Sequence, residues 1–144
     1  MDLLDLLPHR PPMRLLDAIV DLVPGERASA RRDLRPDDFF FDGHFPGEPI
    51  VPAVILVEMI AQLGGLAAGA PHGPADGIAP LRLRVAALGP FRFRRAAAPG
   101  ARLVVDARVA GKFGGLYKIE GEVTADGQQV ASGSVTLGSA DTGA

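Results

Sequence analysis

The sequence predicts an α+β domain in which an antiparallel sheet wraps round one long helix. Three observations predict it. The run from Pro52 to Ala68 is apolar on nearly every side, which only a buried helix can absorb. The second half of the chain repeats apolar residues at every other position between turn signals. No other long apolar element is available to cover a sheet face. The 144 residues suit one domain, spanning 1–144, with a real hydrophobic core.

Each element has its own local reason. "MDLLDLL" reads as a short helix, with Asp2 as its N-cap and Pro8 as its stop. "MRLLDAIVDLVPG" reads as a strand closed by a Pro-Gly turn, with "ERASARRDLR" as its partner. A Gly/Pro-rich loop then leads into the helix at about residues 52–68, and "GAPHGPADG" is a further loop. "APLRLRVAAL" and "FRFRRA" are two strands. Leu81, Leu83 and Val85 oppose Arg82 and Arg84 in the first, and Phe91 and Phe93 oppose Arg92 and Arg94 in the second. Pro99–Gly100 opens a longer strand with Leu103, Val105, Ala107 and Val109 on one face. "GKFGG" turns the chain into "LYKIEGEVTA", and Asp126–Gly127 is a hairpin signal into "QQVASGSVTLG". Residues 139–144 are expected to fray.

Composition excludes several classes. There are no cysteines, hence no disulfide, thiolate metal site or Cys nucleophile, a usage that fits a reducing cytoplasm. A net charge of −2 makes no general case for nucleic acid. The N-terminal residues carry two aspartates and no basic region, so they do not read as a targeting signal. Prolines, Glu58, Gln62 and paired glycines interrupt the apolar run well short of the roughly 20 residues of a membrane span. The three histidines are not spaced as a metal site. Arg82, Arg84, Arg92, Arg94 and Arg95 form a basic cluster that either meets an acidic partner or is a solvated strand face.

The chemistry concentrates in "GHFPGEPIVPAVILVEMIAQ", Gly43 to Gln62. Glu58 and Gln62 are four apart and share a helix face. A buried unpaired carboxyl escapes its desolvation by keeping a proton, which makes it a general acid; the alternative is a glutamate paired with an arginine at a subunit interface. Pro52 suits the first helical position, and Val51 before it has no capping side chain, so the amides at Ala53 either await a ligand oxygen or are capped by a loop carbonyl. His44 sits in a loop braced by Pro46 and Pro49 and opened by Gly43 and Gly47, where an imidazole is either a general base or a surface residue. His9 reads as structural and His72 as a loop residue. Glu58 lies about 9 Å along the helix axis from Pro52, so His44 reaches a glutamate more readily across a two-fold dimer than within its own chain.

The Gly43–Gln62 stretch resembles the signature of the FabZ-type 3-hydroxyacyl-[acyl carrier protein] dehydratases, roughly G-H-F-P-G-x-P-x-x-P-G-V-x-x-x-E-x-x-A-Q. "LLPHRPPMRLLD", "FRFRRAAAPGA" and "GEVTADGQQVASGSV" resemble other stretches of the same family, so the likeness covers nearly the whole chain. The resemblance implies a hot-dog fold, a curved antiparallel sheet round a central helix, with two protomers joined in a homodimer that shares its active sites, and in some members a trimer of such dimers. It implies dehydration of a 3-hydroxyacyl chain on acyl carrier protein, with no metal or organic cofactor. It also implies roles. His44 is the base, oriented by a carbonyl near Ile50. Glu58 of the other protomer is the acid, and Gln62 orients it. The Ala53 amide binds the thioester oxygen. Phe40, Phe41 and Phe45 shape the acyl tunnel. Arg92, Arg94 and Arg95 meet the carrier protein. Glutamate rather than aspartate at position 58 resembles the FabZ type more than its isomerising sister type. The chain departs from the pattern at Ala53, where glycine is usual, and at Pro11, Arg14, Ala96 and Ala101, which leaves chain length and pathway open. Two other readings remain: a hot-dog thioesterase or CoA-linked hydratase, and a non-catalytic acyl-binding subunit.

Overall fold

The computed structural model describes residues 2–69 and 83–139. A 3-10 turn, rather than an α-helix, spans Leu3–Leu6, and Asp2 caps it by accepting from the Leu4 amide at 3.0 Å. Strand β1 covers Ala18–Val23 and β2 Arg27–Asp33. β1 is shorter than the predicted strand because residues 13–17 do other work. The Met13 carbonyl and Leu15 amide are both bound by the Gln62 side chain, so this stretch docks on the helix instead of extending the sheet.

A second 3-10 turn, Phe39–Phe41, has no counterpart in the sequence reading. Its Phe40 and Phe41 face the core and are buried. Helix α1 then runs Ala53–Gly69, one residue later at each end than expected. Met59, Ile60, Leu63 and Leu66 are fully buried on it. The loop expected after the helix lies outside the described residues, as do Leu81, Arg82, His72 and the terminal residues 140–144; Ser139 itself ends a strand.

β3 runs Leu83–Phe93 without interruption, where the sequence suggested two strands. Gly89–Pro90 does not break it because β3 lies at the sheet edge, where a proline can forgo a ladder bond. The register shifts between Leu88 and Phe91 instead, and again between Val85 and Ala87, so the predicted alternation does not hold throughout. β4 (Arg102–Phe113), β5 (Leu116–Ala125) and β6 (Gln128–Ser139) follow as hairpins. Leu103, Val105 and Ala107 are buried as predicted, with Val109 packed at the core margin. Asp126 and Gly127 both take positive φ, 51° and 83°, the combination a two-residue hairpin turn requires.

Among the described residues six strands are ordered β1-β2-β4-β5-β6-β3, with antiparallel pairing throughout. Helix α1 lies in the connection between β2 and β3 and packs on the inner face of the sheet. This is the hot-dog fold. Two glycines permit the close approach. A Cβ on Gly64 would come within 2.6 Å of Ile119, and one on Gly121 within 2.5 Å of Ile60 and 2.9 Å of the Asp106 carbonyl. The second obstacle is backbone, which cannot swing aside. Alanine is no worse than glycine as a strand residue in general, so the packing sets the sign here. Gly121→Ala is expected to lower stability by about 1–3 kcal/mol, read from the urea unfolding midpoint; an unchanged or higher midpoint would count against this packing.

Candidate functional site

Two loops and one helix position the polar groups. The loop before α1 is held at its base by a buried cation. Arg32 is 5% exposed on β2, pairs with Asp38 at 2.5 Å and lies under the Phe40 ring at 5.6 Å. Asp38 also accepts from the Arg35 amide at 2.9 Å. Asp17 joins the cluster through Arg35 at 3.1 Å and the Asp33 amide at 2.7 Å. Burial works to raise the Asp17 carboxyl, but Arg35, the Asp33 amide and the Arg32 charge together hold it below the usual 3.8. Arg32, Asp33, Arg35 and Asp38 are close in sequence, and the β1–β2 hairpin brings Asp17 to them.

From Phe41 the chain reaches His44. Its amide donates to the Phe41 carbonyl at 3.1 Å, and its carbonyl accepts from Ile50 at 2.9 Å. The imidazole Nδ1 lies 3.0 Å from the Ile50 carbonyl. A carbonyl can only accept, so Nδ1 carries the proton and the neutral ring keeps its lone pair on Nε2. The Phe45 ring stacks on the imidazole at 4.1 Å and is itself exposed. Phe40 and Phe41 support the loop from the core.

The helix start is open. Val51 donates to the Ala97 carbonyl at 2.9 Å and Ile55 to Pro52 at 3.0 Å. Among the described residues no side chain or loop carbonyl accepts from the amides of Ala53 or Val54. Both residues are exposed, so the positive end of the helix dipole faces outward.

One turn further on, Glu58 stands in a cavity of about 270 Å³ lined by His9, Ala61, Gln62, Leu83, Arg84, Val85 and Leu137. Gln62 is 1% exposed and uses its whole amide: Nε2 donates to Glu58 Oε2 at 2.9 Å and to the Met13 carbonyl at 2.8 Å, and Oε1 accepts from Leu15 at 3.1 Å. His9 Nε2 lies 3.2 Å from the same Glu58 oxygen. His9, expected to be structural, meets the carboxylate. One expectation is corrected here. Glu58 does not keep its proton through burial. Burial is the largest influence and pushes its carboxyl up, but the hydrogen bonds from His9 and Gln62 oppose it and the group lies below the usual 4.5. Within the chain, the basic side chain bonded to Glu58 is this histidine.

His44 is not among the residues lining the Glu58 cavity, and no hydrogen bond joins the two within the chain. Arg92, Arg94 and Arg95 are exposed at the far end of β3, where Arg94 donates to Gln129 at 2.8 Å. Among the described residues no cluster of three metal-ligating side chains occurs, and no helix is long and apolar enough to cross a membrane.

A family model described as FabA-like domain matches residues 7–134. A 3-hydroxyacyl-[acyl-carrier-protein] dehydratase FabZ of Syntrophotalea carbinolica is 37% identical over 131 residues, 91% of this chain and 87% of that one. The FabZ of Myxococcus xanthus is 35% identical over 92% of this chain and 85% of its own. Among solved structures, the dehydratase heterocomplex ApeI:P of Xenorhabdus doucetiae superposes with a TM-score of 0.82 at 18% identity, over 96% of this chain and 91% of that one, a likeness of fold.

Glu58 and Asp17 ionise more readily in the folded chain than in the unfolded one. Their stabilisation is complete above their ordinary values and is lost as pH falls through the lower, folded ones. Stability should therefore decline below about pH 4.5. Glu58→Gln, which removes one of the two groups, should decline less steeply than wild type in urea titrations run between about pH 6 and pH 3; parallel curves would contradict the hydrogen-bonding pattern at Glu58.

Proposed function

The chain belongs to the FabZ-type family of 3-hydroxyacyl-[acyl carrier protein] dehydratases, and from that premise we propose how it works. It converts a 3-hydroxyacyl thioester on acyl carrier protein into the trans-2-enoyl thioester and water, in fatty acid biosynthesis or a related acyl or polyketide route. The observation that carries this reading is the His44 loop. Its imidazole is pinned through Nδ1 to the Ile50 carbonyl at 3.0 Å, which leaves the lone pair of the neutral ring on Nε2.

His44 Nε2 takes the α proton, and the electrons of that C–H bond form the new C2–C3 double bond. Negative charge that develops on the thioester oxygen is met by the Ala53 amide at the open helix end. The C3–O bond breaks as Glu58 Oε1 gives its proton to the leaving hydroxyl, which departs as water. The cycle ends with a protonated His44 and an ionised Glu58, and proton exchange with solvent resets both. Because Glu58 ionises readily, its protonated form is a minor one, and the acid is correspondingly strong.

The pairing of His44 with Glu58 is proposed to occur across a homodimer. β3 is an edge strand of 11 residues with exposed Val85, Leu88 and Phe93, and Val54 at the helix start is 72% exposed. A long apolar edge of this kind is suited to pairing with a second copy. A trimer of such dimers is the larger assembly we propose to test by sedimentation. Arg92, Arg94 and Arg95, exposed near that edge, are the proposed contact for the acidic carrier protein, and the reaction is placed in the cytoplasm.

His44→Ala and Glu58→Gln are each expected to lower the dehydration rate at least about 100-fold. Mixed dimers of the two variants should regain activity, because one of their two sites then carries both wild-type groups. Free acid and thiol as products would instead identify a thioesterase. A wild-type chain that neither dehydrates nor hydrates across several chain lengths would identify a non-catalytic subunit. Reversing the charges of Arg92, Arg94 and Arg95 to glutamate should raise KM for carrier-borne substrate several-fold and leave KM for the pantetheine thioester unchanged.

A further inference from the structure

The segment that precedes β1 is built around one oxygen of Glu58. We propose that His9 is a positioning residue for Glu58: with Gln62 it occupies Oε2, so that Oε1 alone is left to exchange a proton with substrate. This rests on the dehydratase reading and adds to it a residue outside both the His44 loop and the helix.

Three observations converge. First, His9 Nε2 and Gln62 Nε2 approach the same oxygen, at 3.2 and 2.9 Å, and among the described residues no protein group bonds Oε1. An oxygen that already accepts from two donors has little room for a proton, whichever state the carboxyl is in. Second, His9 Nδ1 is buried without an acceptor. A proton there would be stranded, so the neutral ring carries its proton on Nε2 and donates it towards Glu58. Third, the backbone behind the ring is clamped. Arg10 Nη1 and Arg14 Nε both donate to the His9 carbonyl, at 2.9 and 3.3 Å, and Arg14 is held in turn by Asp5 at 3.3 Å. Gln62 ties Met13 and Leu15 to the helix with the amide that also orients Glu58. The imidazole is therefore delivered from a segment anchored to the group it serves.

The charged and titratable groups facing Glu58 are few. His9 faces it from the N-terminal segment and Arg84 from β3; from α1 comes the neutral Gln62, and the remaining lining is apolar. His9 lowers the carboxyl by hydrogen bond, as Gln62 does, against burial that raises it. Removing the ring leaves burial less opposed, so Glu58 should then titrate higher.

The test compares His9→Ala, His9→Gln and His9→Asn. A glutamine can place its amide nitrogen where His9 Nε2 stands, and an asparagine falls a methylene short. His9→Ala is expected to lower kcat about tenfold or more with KM little changed, and to move the acid limb of the kcat profile to higher pH. His9→Gln should recover most of kcat and His9→Asn should not. Should the alanine variant fail to fold, the contrast between glutamine and asparagine carries the same comparison. Equal rates for those two, or an unmoved acid limb, would overturn the proposal. An NMR titration of the Glu58 carboxyl in wild type and His9→Gln against His9→Asn needs no substrate. An upward shift in the asparagine variant alone supports the positioning role even if the wild-type chain proves not to dehydrate, in which case the dehydratase reading fails by itself.

Discussion

A helix buried on nearly every side cannot leave a polar group unpaired, and Gln62 is where this constraint is met. The residue is 1% exposed, and its amide donates both its hydrogens, to the Met13 carbonyl and the Glu58 carboxyl, and accepts from the Leu15 amide. An unpaired amide at that depth would cost about 1–3 kcal/mol. The pairing keeps residues 13–17 out of β1, brings His9 over the helix and aims Glu58 into its cavity. One hydrogen-bonding requirement thus shapes the N-terminal segment and half of the candidate site.

The same constraint decides the electrostatics. Burial and hydrogen bonding pull the Glu58 carboxyl in opposite directions, and the donors win. A reading that sees only an apolar helix counts the burial and misses the donors, because one of them arrives from a segment 49 residues earlier in sequence. The acid is then stronger than an isolated buried carboxyl would be, and less often protonated. At the other half of the site the balance is simpler. His44 needs one local carbonyl, Ile50, and the loop between them supplies it.

Legibility followed the range of the interactions. The inward row Leu103, Val105, Ala107 and the Asp126–Gly127 turn were readable because strand alternation and turn chemistry act over two to four residues. The helix was readable to within a residue, since Pro52 and the apolar run bracket it. β3 was misread as two strands because Gly89–Pro90 is a break signal in isolation, and only the position of β3 at the sheet edge makes it harmless. The 3-10 turn at Phe39–Phe41 was missed, because the Phe40 ring packs against Arg32 of β2, a contact that the local pattern does not show.

Local pattern was enough to establish the fold class, the buried helix and the hairpins, and to single out His44, Glu58 and Gln62 as candidates. Tertiary structure decided the strand order, the length of β1, the placement of His9 against Glu58 and the protonation tendency of Glu58. The physical reason is the same in each case. These features arise from contacts between segments tens of residues apart, formed to pair polar groups that folding had taken out of water, and periodicity along the chain holds no record of which distant donor will meet which acceptor.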